Sequence, residues 1–237
     1  MKLNKYKTVS ILIPVFNEEK TLKKLLKNVL ALKLGKLKKE IIIVDDASTD
    51  GSKKLILELA RSHKNVKIYS HEKNLGKGAA FRTALSHASG EIVVIQDADL
   101  EYPPKNILRI IDPILLKNAN VVFGSRKLEK EKNYSSFLYY IGGAIIDIII
   151  KTVLNVPVSD AICGPKAFNI TVLKKIGKIE SKGFEVDTEL TAKIAKKRIR
   201  IVEVPITYKP RTHKQGKKIR WYDSFKIAWT LVKIKLS

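Results

Sequence analysis

A chain of 237 residues with 45% hydrophobic side chains is long enough to close one α/β domain around a sizeable core, and too apolar to be disordered. Its 46 Lys and Arg against 23 Asp and Glu leave a formal net charge of +23, which points to an anionic partner: nucleic acid, an acidic membrane surface or a phosphorylated substrate. The single cysteine, Cys163, excludes a disulfide framework or a cysteine-based metal site within one chain, and it fits a reducing cytosol.

Residues 1–19 hold a short apolar run followed by an acidic pair, with no small-residue cleavage site, so the N-terminus reads as a strand and not as a signal peptide. TVSILIPVF (8–16) is short, apolar and β-branched, the pattern of a strand buried on both faces. In the stretch that follows, Leu22, Leu25, Leu26 and Val29 fall on one helical face. EIIIVDD (40–46) predicts a second buried strand; STDGSKKLILELARSH opens on turn and cap residues and continues as a helix. A third strand is expected at 65–71, a helix entered through Gly76 and Gly78 at 76–88, a fourth strand at 91–99, a helix over NILRIIDPILLK, and a fifth strand at 120–126. GKGAAF (76–81) lacks the third glycine of a dinucleotide fingerprint, because Phe81 stands there, and it follows the third strand rather than the first. Strands separated by helices predict an α/β fold, a mostly parallel central sheet with helices on both faces. Ligands of such sheets collect at the carboxyl ends of the strands, where Asp45, Asp46, Asp97, Asp99 and Arg126 all fall.

The second half is less regular. Residues 135–158 are intensely apolar, with Asp147 their only acid, yet too interrupted to span a bilayer; FLYYIGGAIIDIII (137–150) reads as an interfacial helix. GFEVDTELTAKIAKKR (183–198) reads as a helix and IRIVEVPITY (199–208) as a strand. In the tail, Trp221, Phe225, Trp229 and Val232 recur at helical spacing, flanked by Lys226, Lys233 and Lys235. That is the profile of a basic amphipathic helix on an anionic leaflet; the alternative is that these aromatics pack on the core. No run of about 18 uncharged apolar residues predicts a transmembrane helix.

QDADLEYPP (96–104) ends the fourth strand. Carboxylates at i and i+2, where a loop begins, can converge on a hard divalent cation, Mg²⁺ or Mn²⁺, that keeps positions open for substrate phosphates. Asp97 and Asp99 form the pair, Glu101 continues the series, and Pro103 and Pro104 stiffen the loop. A bare DxD is also common as a solvated acidic turn, but its place at the end of an apolar strand favours the metal. In VDDASTDG (44–51), Asp46 is expected to accept hydrogen bonds from a base or ribose and Asp50 to cap the next helix.

Together, IPVFNEE (13–19), VDDASTDG (44–51), NLGKGAAFRTAL (74–85), QDADLEYPP (96–104) and GSR (124–126) resemble the family 2 inverting glycosyltransferases of GT-A fold. The likeness is closest to the polyprenyl-phosphate glycosyltransferases of dolichol-phosphate mannosyltransferase type, and CGPKAF (163–168), GFEVDTELTAK (183–193) and the segment from Val202 to Leu231 extend it over nearly the whole chain. The resemblance implies Pro14, Phe16, Glu18, Val44 and Asp46 around the base and ribose. It implies Asp97 and Asp99 as the metal pair with Glu101 assisting, and Ala98 and Val204 as further donor contacts. Arg126 is expected near the donor and acceptor phosphates, and Arg211 and Lys217 in a basic loop that closes over the donor. It implies a catalytic domain over residues 1–210, with the apolar interfacial segment at about 135–158, then a basic donor loop and an amphipathic helix over 211–237. Where many relatives carry arginines near Ser135, this chain reads KEKNYSSFLYYIGG, so Lys130, Lys132, Ser135 and Ser136 are alternative contacts for an acceptor phosphate.

The chemistry implied is inverting transfer of a hexose from a nucleotide-diphosphate sugar, of GDP-mannose or UDP-glucose type, to a polyprenyl or dolichyl phosphate. It would occur at the cytoplasmic face of the membrane, reached by surface binding or through a membrane partner subunit. A lipid phosphate is already anionic and needs no general base, whereas a sugar hydroxyl does. Related enzymes with hydroxyl acceptors place a base in the region of Glu185, Asp187 and Glu189, so transfer to a sugar hydroxyl in cell-wall or surface polysaccharide synthesis is the first rival. A basic nucleic-acid-binding protein is the second; the five carboxylates Asp45, Asp46, Asp97, Asp99 and Glu101 at the ligand edge would repel a phosphate backbone, so no nucleic-acid partner is expected.

Overall fold

The β-branched apolar runs of the sequence become the centre of one seven-stranded sheet. The computed structural model describes residues 6–129, 137–211, 216, 218 and 223–236. In chain order the elements are β1 (Thr8–Val15), α1 (Glu19–Ala31), β2 (Lys38–Asp45), α2 (Ser52–Ser62), β3 (Val66–Ser70), α3 (Lys77–Ser86), β4 (Ile92–Ile95), α4 (Asn106–Leu115), β5 (Val121–Ser125), α5 (Phe137–Leu154), β6 (Lys166–Asn169), α6 (Ile170–Ile176), α7 (Val186–Lys196), β7 (Val202–Pro205) and α8 (Asp223–Leu236). The strand order is β3-β2-β1-β4-β6-β5-β7. Four ladders are parallel; β6 alone runs antiparallel, between β4 and β5.

Successive residues of the central strands point to opposite faces, as the strand repeat of two requires. Ile11, Ile13, Ile41 and Ile43 join Leu22, Leu25 and Val29 of α1, Ile56 of α2, and Ile107 and Ile110 of α4 on one face. Leu12, Ile42 and Val44 join Ala80, Phe81 and Ala84 of α3, Leu190 and Ile194 of α7, Ile150 of α5 and Leu231 of α8 on the other. Each fully buried side chain of this size contributes roughly 1.5–3 kcal/mol of transfer free energy. The helix α8 packs on α7 and α5, burying Ile227 and Leu231. Among the described residues no helix is long and apolar enough to cross a membrane.

Three boundaries differ from expectation. The fourth strand stops at Ile95, so Asp97 and Asp99 stand in the turn beyond it. The strand expected over 199–208 shrinks to Val202–Pro205. The chain Lys166–Asn169 forms β6, which closes the gap between the parallel half and β5; its four residues, KAFN, are too few to carry a strand periodicity.

Candidate active site

The loops leaving β1, β2 and β4 lie side by side, and each turns through a non-glycine residue in the left-handed region: Asn17 (φ 49°), Ala47 (φ 59°) and Leu100 (φ 60°). Such conformations cost about 1 kcal/mol or more each and persist where the surroundings fix them. Here hydrogen bonds do so. Asn17 N donates to Ser48 Oγ (2.9 Å), Thr49 N to Asn17 Oδ1 (2.7 Å) and Glu18 N to Ser52 Oγ (2.8 Å). Asp50 caps α2 by accepting from Ser52 N (2.9 Å), as expected.

At this edge every acid already has an internal cation or donor. Lys77, at the first turn of α3, places its ammonium 2.8 Å from Asp97 Oδ1. Arg211 grips Glu18 with two nitrogens (2.9 and 3.1 Å) and reaches Asp99 Oδ2 at 3.4 Å. Lys218 donates to Glu18 (2.6 Å) and to the Phe16 carbonyl, and stands 5.7 Å from the Phe16 ring centre. Burial would raise the Glu18 carboxyl, but the hydrogen bonds from Arg211 and Lys218 outweigh it and hold it below the usual range. Asp99 goes the other way: burial first, then repulsion from Asp97 and Glu101, pushes it up to about 7, against the pull of Arg211. Gly164 makes room for Asp97, since a Cβ there would fall 2.0 Å from Asp97 Oδ2.

Behind Lys77 lies a second layer of charge. Lys166, on β6, is wholly buried. Its ammonium meets Asp187 Oδ1 at 2.6 Å, donates to the Cys163 carbonyl and lies 4.9 Å from the Phe123 ring centre. The other oxygen of Asp187 is 3.4 Å from Lys77. Both oxygens of Asp187, in the first turn of α7, are thereby held by lysines. The neighbouring acids of α7 are fastened to backbone: Glu185 accepts from Lys182 N and Gly183 N, and Glu189 from Glu180 N and Ser181 N and from Lys193 at i+4.

Beyond β5 a basic pair projects. Arg126 is clamped by Asp160 through Nε (2.8 Å), Nη2 (2.6 Å) and its own backbone N (2.9 Å), with the guanidinium carbon 5.2 Å from the Tyr208 ring centre. Glu203 of β7 holds the loop under it by accepting from Ser159 N and Asp160 N. Lys127 donates to Asp147 of α5 (2.8 Å), whose other oxygen accepts from Ala161 N (2.9 Å). Burial, then repulsion from Asp160, raises Asp147 to about 6 in spite of Lys127.

The structure brings together Phe16, Glu18, Asp97, Asp99 and Arg211 beyond the end of β1, where Pro14 lies, and it gives five other expected site residues partners within the protein. The oxygens of Glu101 accept from Tyr208 Oη (3.2 Å) and Arg211 N (2.8 Å), so it anchors the 208–211 segment. Asp46 turns inward, where His71 Nδ1 (2.6 Å), Leu75 N (2.9 Å) and Gly76 N (2.7 Å) saturate its carboxylate; the buried Asp45 Oδ2 beside it has no partner. Val44 is a core side chain packed with Ala80 and Phe81, and the carbonyl of Ala98 is taken by Thr21 Oγ1 (3.0 Å). Val204 pairs with Gly124 in β7 and lines a groove with Arg109, Pro113 and Leu116, apart from the acids. Lys217, Lys130, Lys132, Ser135 and Ser136 lie outside the described residues. Sequence reasoning missed Lys77, Lys166, Asp160 and Lys218; only the close spacing of Lys77 to the helix-entry glycines offered a signal for the first.

The model of glycosyl transferase family 2 matches residues 10–177. The chain is 29% identical to a UDP-N-acetylglucosamine–dolichyl-phosphate N-acetylglucosaminyltransferase of Methanococcus voltae, with 97% of each chain covered. It is 27% identical to a dolichyl-phosphate beta-glucosyltransferase of Trichomonas vaginalis, over 95% of this chain and 72% of that one. Among solved structures, glucosyl-3-phosphoglycerate synthase from Mycobacterium tuberculosis, in complex with Mg²⁺ and UDP, superposes with a TM-score of 0.72 at 19% identity, covering 96% of this chain and 79% of that one. The sheet and its flanking helices are those of the GT-A fold. With the family model spanning most of its length, the chain belongs to glycosyl transferase family 2 and is a glycosyltransferase.

Proposed function

We propose that the enzyme transfers a hexose, with inversion, from a nucleotide-diphosphate sugar to a polyprenyl phosphate at the cytoplasmic face of a membrane. The observation that carries this reading is the state of Asp187. It is the acid of α7 whose carboxylate faces the acid pair, and both of its oxygens are occupied by lysines, one by Lys166 at 2.6 Å and the other by Lys77 at 3.4 Å, so neither is open to an acceptor hydroxyl. An acceptor that is already an anion needs no such base. Arg126 and Lys127, partly exposed and fixed by Asp160 and Asp147, supply cations for a phosphate. The relatives named for dolichyl-phosphate acceptors support the same reading.

Asp97 and Asp99 fit a divalent ion, Mg²⁺ or Mn²⁺: two carboxylates of one turn repel each other, and a cation relieves that repulsion. Among the described residues no group of three or more acids, histidines or cysteines gathers at one point, so the remaining coordination falls to diphosphate and water. When bound, the ion offsets the charge that develops on the departing diphosphate. Arg211 and Lys218 lie where they would meet that diphosphate and the base beside Phe16.

Bilayer contact is assigned to α5 and α8. Ile145, Ile148 and Ile149 stand exposed at helical spacing on α5, and Trp229 and Val232 on α8, which packs against it. Lys151 and Lys226 are exposed on the same helices, which suits an anionic leaflet.

The test is a donor screen with Mg²⁺ or Mn²⁺, using UDP-glucose, UDP-N-acetylglucosamine and GDP-mannose, with polyprenyl phosphate or free saccharides as acceptor and the product anomer read by NMR. Metal-dependent transfer to the lipid phosphate with inversion is expected, abolished in Asp99→Asn and retained in Glu185→Gln. Transfer to a saccharide hydroxyl with none to lipid phosphate overturns the acceptor; full activity under thorough chelation overturns the metal.

A further inference from the structure

Lys166, Asp187, Lys77 and Asp97 form a file of alternating charge that starts in the core and ends at the acid pair, with separations of 2.6, 3.4 and 2.8 Å. Such a file has a cost. A buried lysine needs a full partner, and Asp187 divides its two oxygens between two of them. Lys77 is anchored at the start of α3, where Gly78 N donates to the Lys182 carbonyl (2.7 Å), and a Cβ at Gly76 or Gly78 would fall 2.4 Å from the carbonyl oxygen of Lys182 or Ser181. The helix entry is therefore fixed against the 181–183 loop, and the ammonium of Lys77 is left with two carboxylates in reach and a partly exposed position.

We propose that Lys77 is the resident counter-cation of Asp97 in the donor-free enzyme, and that a divalent ion gains Asp97 only as Lys77 turns to the incoming nucleotide diphosphate. The inference rests on the reading of Asp97 and Asp99 as the metal pair. Three consequences follow from the contacts. The ion binds weakly without nucleotide, because Lys77 neutralises Asp97 at 2.8 Å while Arg211 reaches Asp99 only at 3.4 Å. A nucleoside diphosphate strengthens ion binding, because it offers Lys77 another anion. Asp187 acts as a positioning residue: it shares Lys77 with Asp97 and so weakens the hold that the ion must break.

Mn²⁺ binding to the purified full chain, followed by electron paramagnetic resonance without donor, tests this. Lys77→Met should tighten Mn²⁺ binding about fivefold. Lys73→Met, which removes an equal charge from the exposed loop before α3, should leave it unchanged. With saturating UDP or GDP the advantage of Lys77→Met should vanish, since the wild-type lysine is then on the diphosphate. Asp187→Asn should weaken Mn²⁺ binding in the wild-type background and have no effect in Lys77→Met; if that variant does not fold, the Lys77→Met comparison decides alone. Equal Mn²⁺ affinity in wild type and Lys77→Met, or an equal gain in Lys73→Met, overturns the inference while leaving the metal reading intact. Mn²⁺ affinity unaltered by Asp99→Asn, with or without nucleotide, overturns the metal reading itself.

Discussion

Asp147 shows how one side chain ties α5 to the loops beyond β5 and before β6. It sits on the inner face of α5, buried, and its two oxygens serve Lys127 and the backbone of Ala161. Burial and the nearby Asp160 raise its carboxyl to about 6, above the 3.8 of a free aspartate. The fold therefore favours the protonated form, so this group destabilises the native state once ionised: the penalty is absent below about pH 4 and complete above about pH 6. Asp147→Asn, which still accepts from Ala161 N, should match wild type in stability at pH 4 and exceed it by up to about 3 kcal/mol at pH 7.5, measured by urea unfolding at each pH. A difference that stays constant across that range, or grows toward acid, would show that Lys127 and not burial controls the group. At this scale sequence spacing recovered the cap Asp50, because it acts through a neighbour in the chain. It could not recover Asp160 or Lys166, whose partners lie 34 and 21 residues away, nor foresee that Glu101 and Asp46 would spend their oxygens on side-chain and backbone donors of other segments.

Among the elements, the parallel half was legible because a strand buried on both faces needs an unbroken apolar run and its crossover helix needs a striped face, and both patterns are local. β6 escaped because its four residues, Lys166 to Asn169, owe their burial to the strands on either side and to the Lys166–Asp187 pair. For α8 the sequence left two readings open, core or interface, whereas α5 read as interfacial alone; in both helices the structure divides the residues between core and surface. Ile150, Ile227 and Leu231 go inward, while Ile148 and Trp229 are 64% and 71% exposed; Trp221 and the side chain of Phe225 lie outside the described residues. If the outer faces meet a bilayer, Ile148→Ser with Trp229→Ser should lower binding to vesicles containing a third phosphatidylglycerol about tenfold or more. Transfer to a short-chain, water-soluble prenyl phosphate should be unaffected. Unchanged sedimentation with vesicles, or a dimer of the wild type that the double variant dissolves, would assign the face to another protein surface instead.

The whole molecule carries a net charge of +23 while the strand-end edge beyond β1, β2 and β4 collects acids, and the two facts are reconciled by burial. At the edge, Glu18, Asp97 and Asp187 each hold a lysine or arginine within 3 Å or so, partly shielded from solvent. The remaining excess of Lys and Arg is spread over the exposed surface, where salt screens it: the Debye length is about 10 Å at 0.1 M and about 3 Å at 1 M. The two populations should respond differently to ionic strength. Raising NaCl from 50 to 500 mM should weaken association with anionic vesicles by at least about tenfold, since each surface cation near such a leaflet contributes about 1 kcal/mol. Over the same range kcat with a water-soluble prenyl phosphate should change by less than about twofold, because the paired charges at the acid edge are packed among protein atoms. Comparable losses in both assays would place the acid edge in contact with bulk salt and remove the separation between docking and chemistry. Equal binding to neutral and anionic vesicles would leave the surplus charge without a role at the membrane.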